Sequence, residues 1–174
     1  MDTGKFTFMN DGIKLSDIVL RTTLRPGDIG YITYLHGTIY KQEYNYGIAF
    51  ETYVATGLAE FYRQYDPQKD GVWICEHENK IIGFLALMHR ENNTAQLRYF
   101  LLIPAYRGMG LGKKMMQLFM NHLKEKKIQH AYLWTTNEQD KAACLYKNFG
   151  FELVEEKYSE AFGKPLIEQK YSLP

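Results

Sequence analysis

Cysteine is scarce in this 174-residue chain. Cys75 and Cys144 are the two present, too few and too far apart for a disulfide framework or a zinc knuckle, and they read as reduced thiols of a cytoplasmic protein with no bound metal. Long apolar runs are missing: none approaches the roughly 18 residues that a membrane helix needs. The opening stretch MDTGKFTFMNDGIKLSD has no apolar core and no small-residue cleavage site, so no signal peptide is expected. Neither sign of charge dominates, since 21 Lys and Arg face 20 Asp and Glu for a net charge of +1. That balance leaves no electrostatic footprint for nucleic acid or for an anionic membrane. Internal repeats and low-complexity segments are absent too. Aromatic residues, by contrast, are plentiful, with 14 Tyr, which suits a lined core or cleft without specifying a function.

The chain length suits one domain. Residues 1–17 are weakly patterned and read as an N-terminal extension to a domain over 18–174. Ile18–Leu24 is rich in β-formers and ends at Arg25-Pro26-Gly27-Asp28, with Asp28 placed to cap a following helix. Ile32, Leu35 and Ile39 recur at helical spacing, and Phe50, Val54, Leu58, Phe61 and Tyr65 form a second stripe, so two helices are expected over about 29–43 and 47–65. The period then changes. Three apolar, β-rich runs at 72–76, 80–88 and 95–103 are joined by short polar links, which predicts an antiparallel meander ending at Pro104. A helix to about Lys127, a strand at 130–135, a helix at 141–148 and two closing strands complete the order β-α-α-β-β-β-α-β-α-β-β. Such an order predicts an α/β fold with a mixed sheet.

The informative passage is Pro104-Ala105-Tyr106-Arg107-Gly108-Met109-Gly110-Leu111-Gly112. A strand runs into a glycine-rich turn from which a helix starts at once. Amides at a helix N-terminus lack intrahelical partners and carry about half a positive charge from the dipole. Glycine lets an anion approach such amides closely, so the turn suits a phosphate or pyrophosphate. A P-loop is excluded by the spacing from Gly108 to Lys113 and by Met115 in place of a hydroxyl. The dinucleotide fingerprint GxGxxG is excluded because Lys113 stands at its last glycine and the turn follows a meander.

What remains is Arg107-x-x-Gly110-x-Gly112 after a strand ending in proline. It resembles the pyrophosphate motif of the GNAT N-acetyltransferases, [RQ]xxGx[GA]. Ala142-x-x-x-Tyr146-x-x-x-Gly150-Phe151 and the Glu78-Asn79-Lys80-Ile81-Ile82-Gly83 hairpin are similar to further parts of that family's pattern. Arg25-Pro26-Gly27-Asp28-Ile29-Gly30, His36-Gly37 and Tyr40-x-x-Glu43-Tyr44 are similar to the acetyltransferase half of regulators that fuse a MarR-type domain to a GNAT domain; residues 1–17 are too short for that partner. The resemblance implies a GNAT-type, mostly antiparallel central sheet flanked by helices. It also implies direct transfer of acetyl from acetyl-CoA to an amine, without a metal. The backbone of Arg107, Gly108, Met109, Gly110, Leu111 and Gly112 would take the pyrophosphate, and Phe100, Leu101 and Leu102 the pantetheine arm. The Leu102 amide would steady the thioester oxygen, and Tyr146 would give the departing thiolate its proton. Where the family often has an Asn contacting CoA, this chain has Gln139, with Asn137 nearby.

The acceptor side is less legible. Glu43 and His36, beside the apolar stripe of the first helix, are the candidates for draining the amine's proton, with Glu76, Glu91 and Arg98 as further options. Phe100, Leu102, Trp134 and Thr136 would limit the room for the acyl chain. Two other readings stay open: a non-catalytic acyl-CoA sensor, which needs no Tyr146, and a transferase for longer acyl groups. A small-molecule amine and a peptide or protein amine are both compatible, as is a homodimer.

Overall fold

Two strands in the middle of the chain are apolar at nearly every position because both of their faces are covered. The computed structural model describes residues 12–173. In chain order it contains β1 (Val19–Arg21), α1 (Asp28–Tyr44), α2 (Ile48–Arg63), β2 (Gly71–His77), β3 (Lys80–Arg90), β4 (Thr94–Leu102), α3 (Leu111–Glu125), β5 (His130–Thr136), α4 (Asp140–Asn148), β6 (Glu152–Ser159) and β7 (Leu166–Leu173), with 3-10 turns at Leu15–Asp17 and Pro104–Tyr106. One sheet of seven strands runs β1-β2-β3-β4-β5-β7-β6. Among the described strands only the β4–β5 pair is parallel; the others are antiparallel. A parallel pair needs a crossover, and α3 supplies it.

The period-2 geometry of β2 and β3 splits their side chains between two cores. Val72, Ile74, Phe84, Ala86 and Met88 pack with Ile32, Phe50, Val54, Leu58 and Phe61 of α1 and α2. Trp73, Cys75, Leu85 and Leu87 pack with Leu111, Met115, Phe119 and Leu123 of α3, and with Tyr146 of α4. Each large apolar side chain withdrawn in this way contributes roughly 1.5–3 kcal/mol. The far edge, β6, is almost wholly exposed, and Glu152, Glu155, Glu156 and Lys157 along it discourage pairing with another strand. Among the described residues no helix is long and apolar enough to cross a membrane.

The expected elements are all found, with two corrections at the start. The first strand stops at Arg21, short of Leu24. Its last residue, Arg21, pairs with Ile74 of β2 and is buried, gripping Asp28 at 2.7 Å and Glu76 at 2.6 Å. Asp28 is also not the helix cap: Gly27 takes that position with φ +95° and no side-chain bond, while the Asp28 carboxylate accepts from Arg21 and from the Arg25 amide at 2.7 Å. Of the N-terminal extension, residues 1–11 lie outside the described part. The 3-10 turn over Leu15–Asp17 leads into β1.

Candidate active site

The site is made by two strands that stop pairing. β4 and β5 are in register from Thr94 opposite His130 to Leu97 opposite Leu133, yet both run on, to Leu102 and Thr136. A bulge in β4 starts the divergence. Arg98 pairs with Ala86 and Leu101 with Phe84, so Tyr99 and Phe100 together oppose Leu85, and Tyr99 takes φ +57°. The extra residue bends the strand away from β5. The result is a notch whose walls are the free edges of β4 and β5.

On one side of the notch lies a cleft of about 430 Å³ whose lining includes Tyr40, Leu101, Leu102, Arg107, Gln139 and Tyr146. Ile103 N–H donates to Ile82 O at 2.9 Å. Antiparallel alternation therefore turns the Leu102 N–H to the opposite edge of β4, the one β5 has left. Leu102 O accepts from Arg107 Nε at 3.0 Å, which fixes the strand end against the glycine turn. In that turn Gly108 has φ +79° and Gly110 φ +88°. Both angles favour glycine. Gly112 lies in ordinary helix within α3. The Arg107 amide is spent on Pro104 O at 3.2 Å, and the first bond into α3 runs from Lys114 N to Gly110 O at 3.1 Å. Between these two bonded amides lie those of residues 108–113.

Tyr146 lies on α4, 5% exposed, with the rings of Phe100, Phe151 and Tyr171 at 6.3–6.4 Å. Burial, with a smaller contribution from Tyr44, pushes its phenol well above the ordinary value. It stays protonated at any working pH. Tyr146, Tyr40, Phe100 and Gln139 line both this cleft and a second one. Gln139 accepts from the Tyr40 hydroxyl at 3.4 Å and donates to Thr136 Oγ1 at 3.3 Å. Asn137 does different work: its side chain accepts from the Ile167 amide at 3.0 Å and ties the end of β5 to β7.

The second cleft is smaller, about 100 Å³, and reaches from Tyr146 to α2 between β4 and β5. Its lining includes His36, Trp134 and Thr136, which the sequence had singled out, and also Tyr53, Tyr99, Thr135 and Glu168, which it had not. The two base candidates are separated. His36 is in this small cleft, with its Nδ1 bonded to Ile32 O at 2.8 Å, and burial pulls its pKa down to about 4. Glu43 is on the larger cleft, held by Arg107 at 2.6 Å. Of the other options, Glu76 is tied to Arg21, Glu91 stands exposed in the β3–β4 turn, and Arg98 lines the small cleft.

The chemistry of this arrangement is that of a junction. One cleft offers the vacated edge of β4 and reaches Arg107, from which the glycine turn starts. The other is a small aromatic chamber, and a buried phenol stands where they meet.

Residues 38–151 match the family model described as acetyltransferase (GNAT) family. The uncharacterized N-acetyltransferase YjgM of Escherichia coli is 31% identical over 101 residues, which are 56% of this chain and 60% of that protein. The [ribosomal protein bS18]-alanine N-acetyltransferase of Haemophilus influenzae is 35% identical over 77 residues, 44% of this chain and 51% of that one. The chain thus matches little more than half the length of either relative. In fold it is similar to a GNAT family acetyltransferase of Staphylococcus aureus Mu50, with a TM-score of 0.72 at 22% identity over 88% of this chain and 98% of that one. It is also similar to a GNAT family acetyltransferase of Elizabethkingia anophelis with acetyl-CoA bound, with a TM-score of 0.62 at 12% identity over 90% and 97%.

Proposed function

Because the chain belongs to the GNAT acetyltransferase family, we propose that it transfers the acetyl group of acetyl-CoA to a primary amine, with both substrates bound at once. One observation supports this reading best: two clefts meet at Tyr40, Phe100, Gln139 and Tyr146, and the larger of them is lined by Leu102 and by Arg107, the residue that leads into the glycine turn. The residues fit the cofactor. The amides of residues 108–113 take its diphosphate, and the free edge of β4 from Phe100 to Leu102 takes the amide groups of its arm as an added strand would. Acetyl-CoA supplies the activated thioester.

The chain's own groups supply the rest. The Leu102 N–H donates to the thioester oxygen as charge gathers there. Tyr146 O–H faces the departing sulfur and gives it a proton. An ammonium ion sheds one proton to reach its attacking form and a second as the amide bond forms. One proton is therefore released to solvent for each amide and free thiol made, once Tyr146 has been reprotonated. His36 at a pKa of about 4 is a weak base, so the amine reacts as its neutral fraction, with water as the outlet. Glu43 orients Arg107 beside the cradle.

Isothermal titration with acetyl-CoA, followed by a thiol-release assay over a panel of amines, tests the reading. Micromolar binding and amine-dependent release support it. Binding with no release from any amine leaves an acyl-CoA-binding module, and absence of binding removes both.

A further inference from the structure

The small cleft contains a half-made ion site. In a regular strand, adjacent residues point to opposite faces. At Arg98 and Tyr99 the bulge and the φ of +57° at Tyr99 bring both side chains toward α2. They converge over Gly57: a Cβ there would lie 3.3 Å from Arg98 Nη2 and would overlap the Tyr99 hydroxyl. Arg98 Nη2 donates to Tyr53 Oη at 2.7 Å, and its guanidinium lies 5.4 Å from the Tyr53 ring centre and 4.6 Å from that of Tyr99. Two tyrosines thus fix the cation in place. Among the described residues no carboxylate lies within 4 Å of it. Glu60, which also acts on Tyr99, stays outside that distance.

Two hydroxyls in the same cleft have no hydrogen-bond partner among the described residues. Tyr99 Oη and Thr135 Oγ1 are buried without a hydrogen bond, in residues 8% and 7% exposed. They stand two positions beyond Leu97 and Leu133, the last matched pair of β4 and β5, and so flank the notch. A buried donor left unpaired is costly enough that native structures rarely keep one without a use. Burial pushes the Tyr99 pKa up to about 12, so this group is a donor. A fixed guanidinium and two idle hydroxyls together describe the receptor of a carboxylate, whose oxygens match the guanidinium fork. Glu168, on β7, is the cleft's other charged side chain, and Lys157 holds it at 3.3 Å. The volume of about 100 Å³ suits a small acceptor.

We infer that the acceptor is a small free amino acid, its carboxylate held by Arg98, Tyr99 and Thr135 and its amine directed to the notch beside Tyr146. This rests on the acetyltransferase reading above. The product is then the N-acetyl amino acid, with CoA thiol and one proton released.

The test compares, at saturating acetyl-CoA, small amino acids with their carboxamides, their decarboxylated amines and glycyl dipeptides carrying the same C-terminal residue. Free amino acids should be preferred by about 10- to 100-fold in kcat/KM, mostly through KM, as expected for a charged hydrogen-bonded pair. Arg98→Met should erase that preference while the Kd for acetyl-CoA stays put. Tyr99→Phe, which keeps the ring, should raise KM for amino acids several-fold and serves if Arg98→Met does not fold. Equal or better turnover of the amines or carboxamides by wild-type protein would overturn the inference and leave the acetyltransferase reading standing, as would a preference for the dipeptides. Failure to bind acetyl-CoA would strike the underlying reading instead.

Discussion

Replacing Tyr146 by Phe removes one oxygen from the junction of the two clefts and nothing else. The ring is 5% exposed and packed among Phe100, Phe151 and Tyr171. A phenylalanine keeps those contacts, so stability should change by less than about 1.5 kcal/mol. The kinetic effect follows from proton affinities. General acids contribute about 10²- to 10⁴-fold when the transfer is matched. Here the phenol is pushed well above its ordinary value of 10.0 by burial, whereas a free thiol has a pKa of about 8.5. Full transfer to the thiolate is therefore uphill, and the hydroxyl acts mainly as a hydrogen-bond donor to developing charge. The expected loss is at the low end, roughly 100-fold in kcat or about 2.7 kcal/mol of barrier. The KM for acetyl-CoA should change less than threefold, because the cradle lies elsewhere. Thiol release under saturating acetyl-CoA, with the Kd measured by titration, reads both quantities. If kcat stays within twofold of wild type, or falls only in step with lost cofactor binding, Tyr146 is a packing residue and the reasoning is wrong.

Other perturbations test the scaffold. His36 is neutral in the fold, with a pKa of about 4, and protonates near 6.5 when unfolded. Its contribution is complete above about pH 6.5 and is lost as pH falls toward 4, by about 2 kcal/mol at pH 5; urea unfolding of His36→Phe should lack that part of the wild-type decline between pH 7.5 and 5. Gly57→Ala should destabilise by about 1–3 kcal/mol through overlap with the Tyr99 hydroxyl. The same substitution in a Tyr99→Phe background should cost measurably less in thermal unfolding, and equal costs would refute the contact. Gly110→Ala forces a side chain to φ +88°, at about 1–2 kcal/mol. The turn should relax, and the acetyl-CoA Kd should rise about tenfold by titration.

The order of elements was readable because the period of the apolar residues switches cleanly, from the i, i+3, i+4 stripe of Phe50, Val54, Leu58 and Phe61 to the short apolar runs of β2 and β3. The glycine turn was readable because its anion chemistry is local. Tyr99 was not. A tyrosine at φ +57° has no signature in sequence, since the bulge is set by the register of β4 against β3 and no residue type marks it. The convergence of Arg98 and Tyr99 follows from that bulge and was hidden with it. The ion pair of Glu43 was hidden because its partner Arg107 is 64 residues away. A signal for His36 did exist: Ile32 stands four residues before it on the same helix, and its carbonyl takes the ring Nδ1. Asn137 and Gln139 looked interchangeable by chemistry, and only the pairing of β5 with β7 decides that Asn137 is a tie between strands.

The proposed transfer depends on the free amides after Arg107 holding a diphosphate, and a crystal structure of the acetyl-CoA complex tests that most directly. It should place diphosphate oxygens within about 3.2 Å of amide nitrogens between Gly108 and Lys113, with the thioester sulfur beside the Tyr146 hydroxyl. A complex with the diphosphate bound elsewhere, or with those amides turned from it, would contradict the assignment of the site.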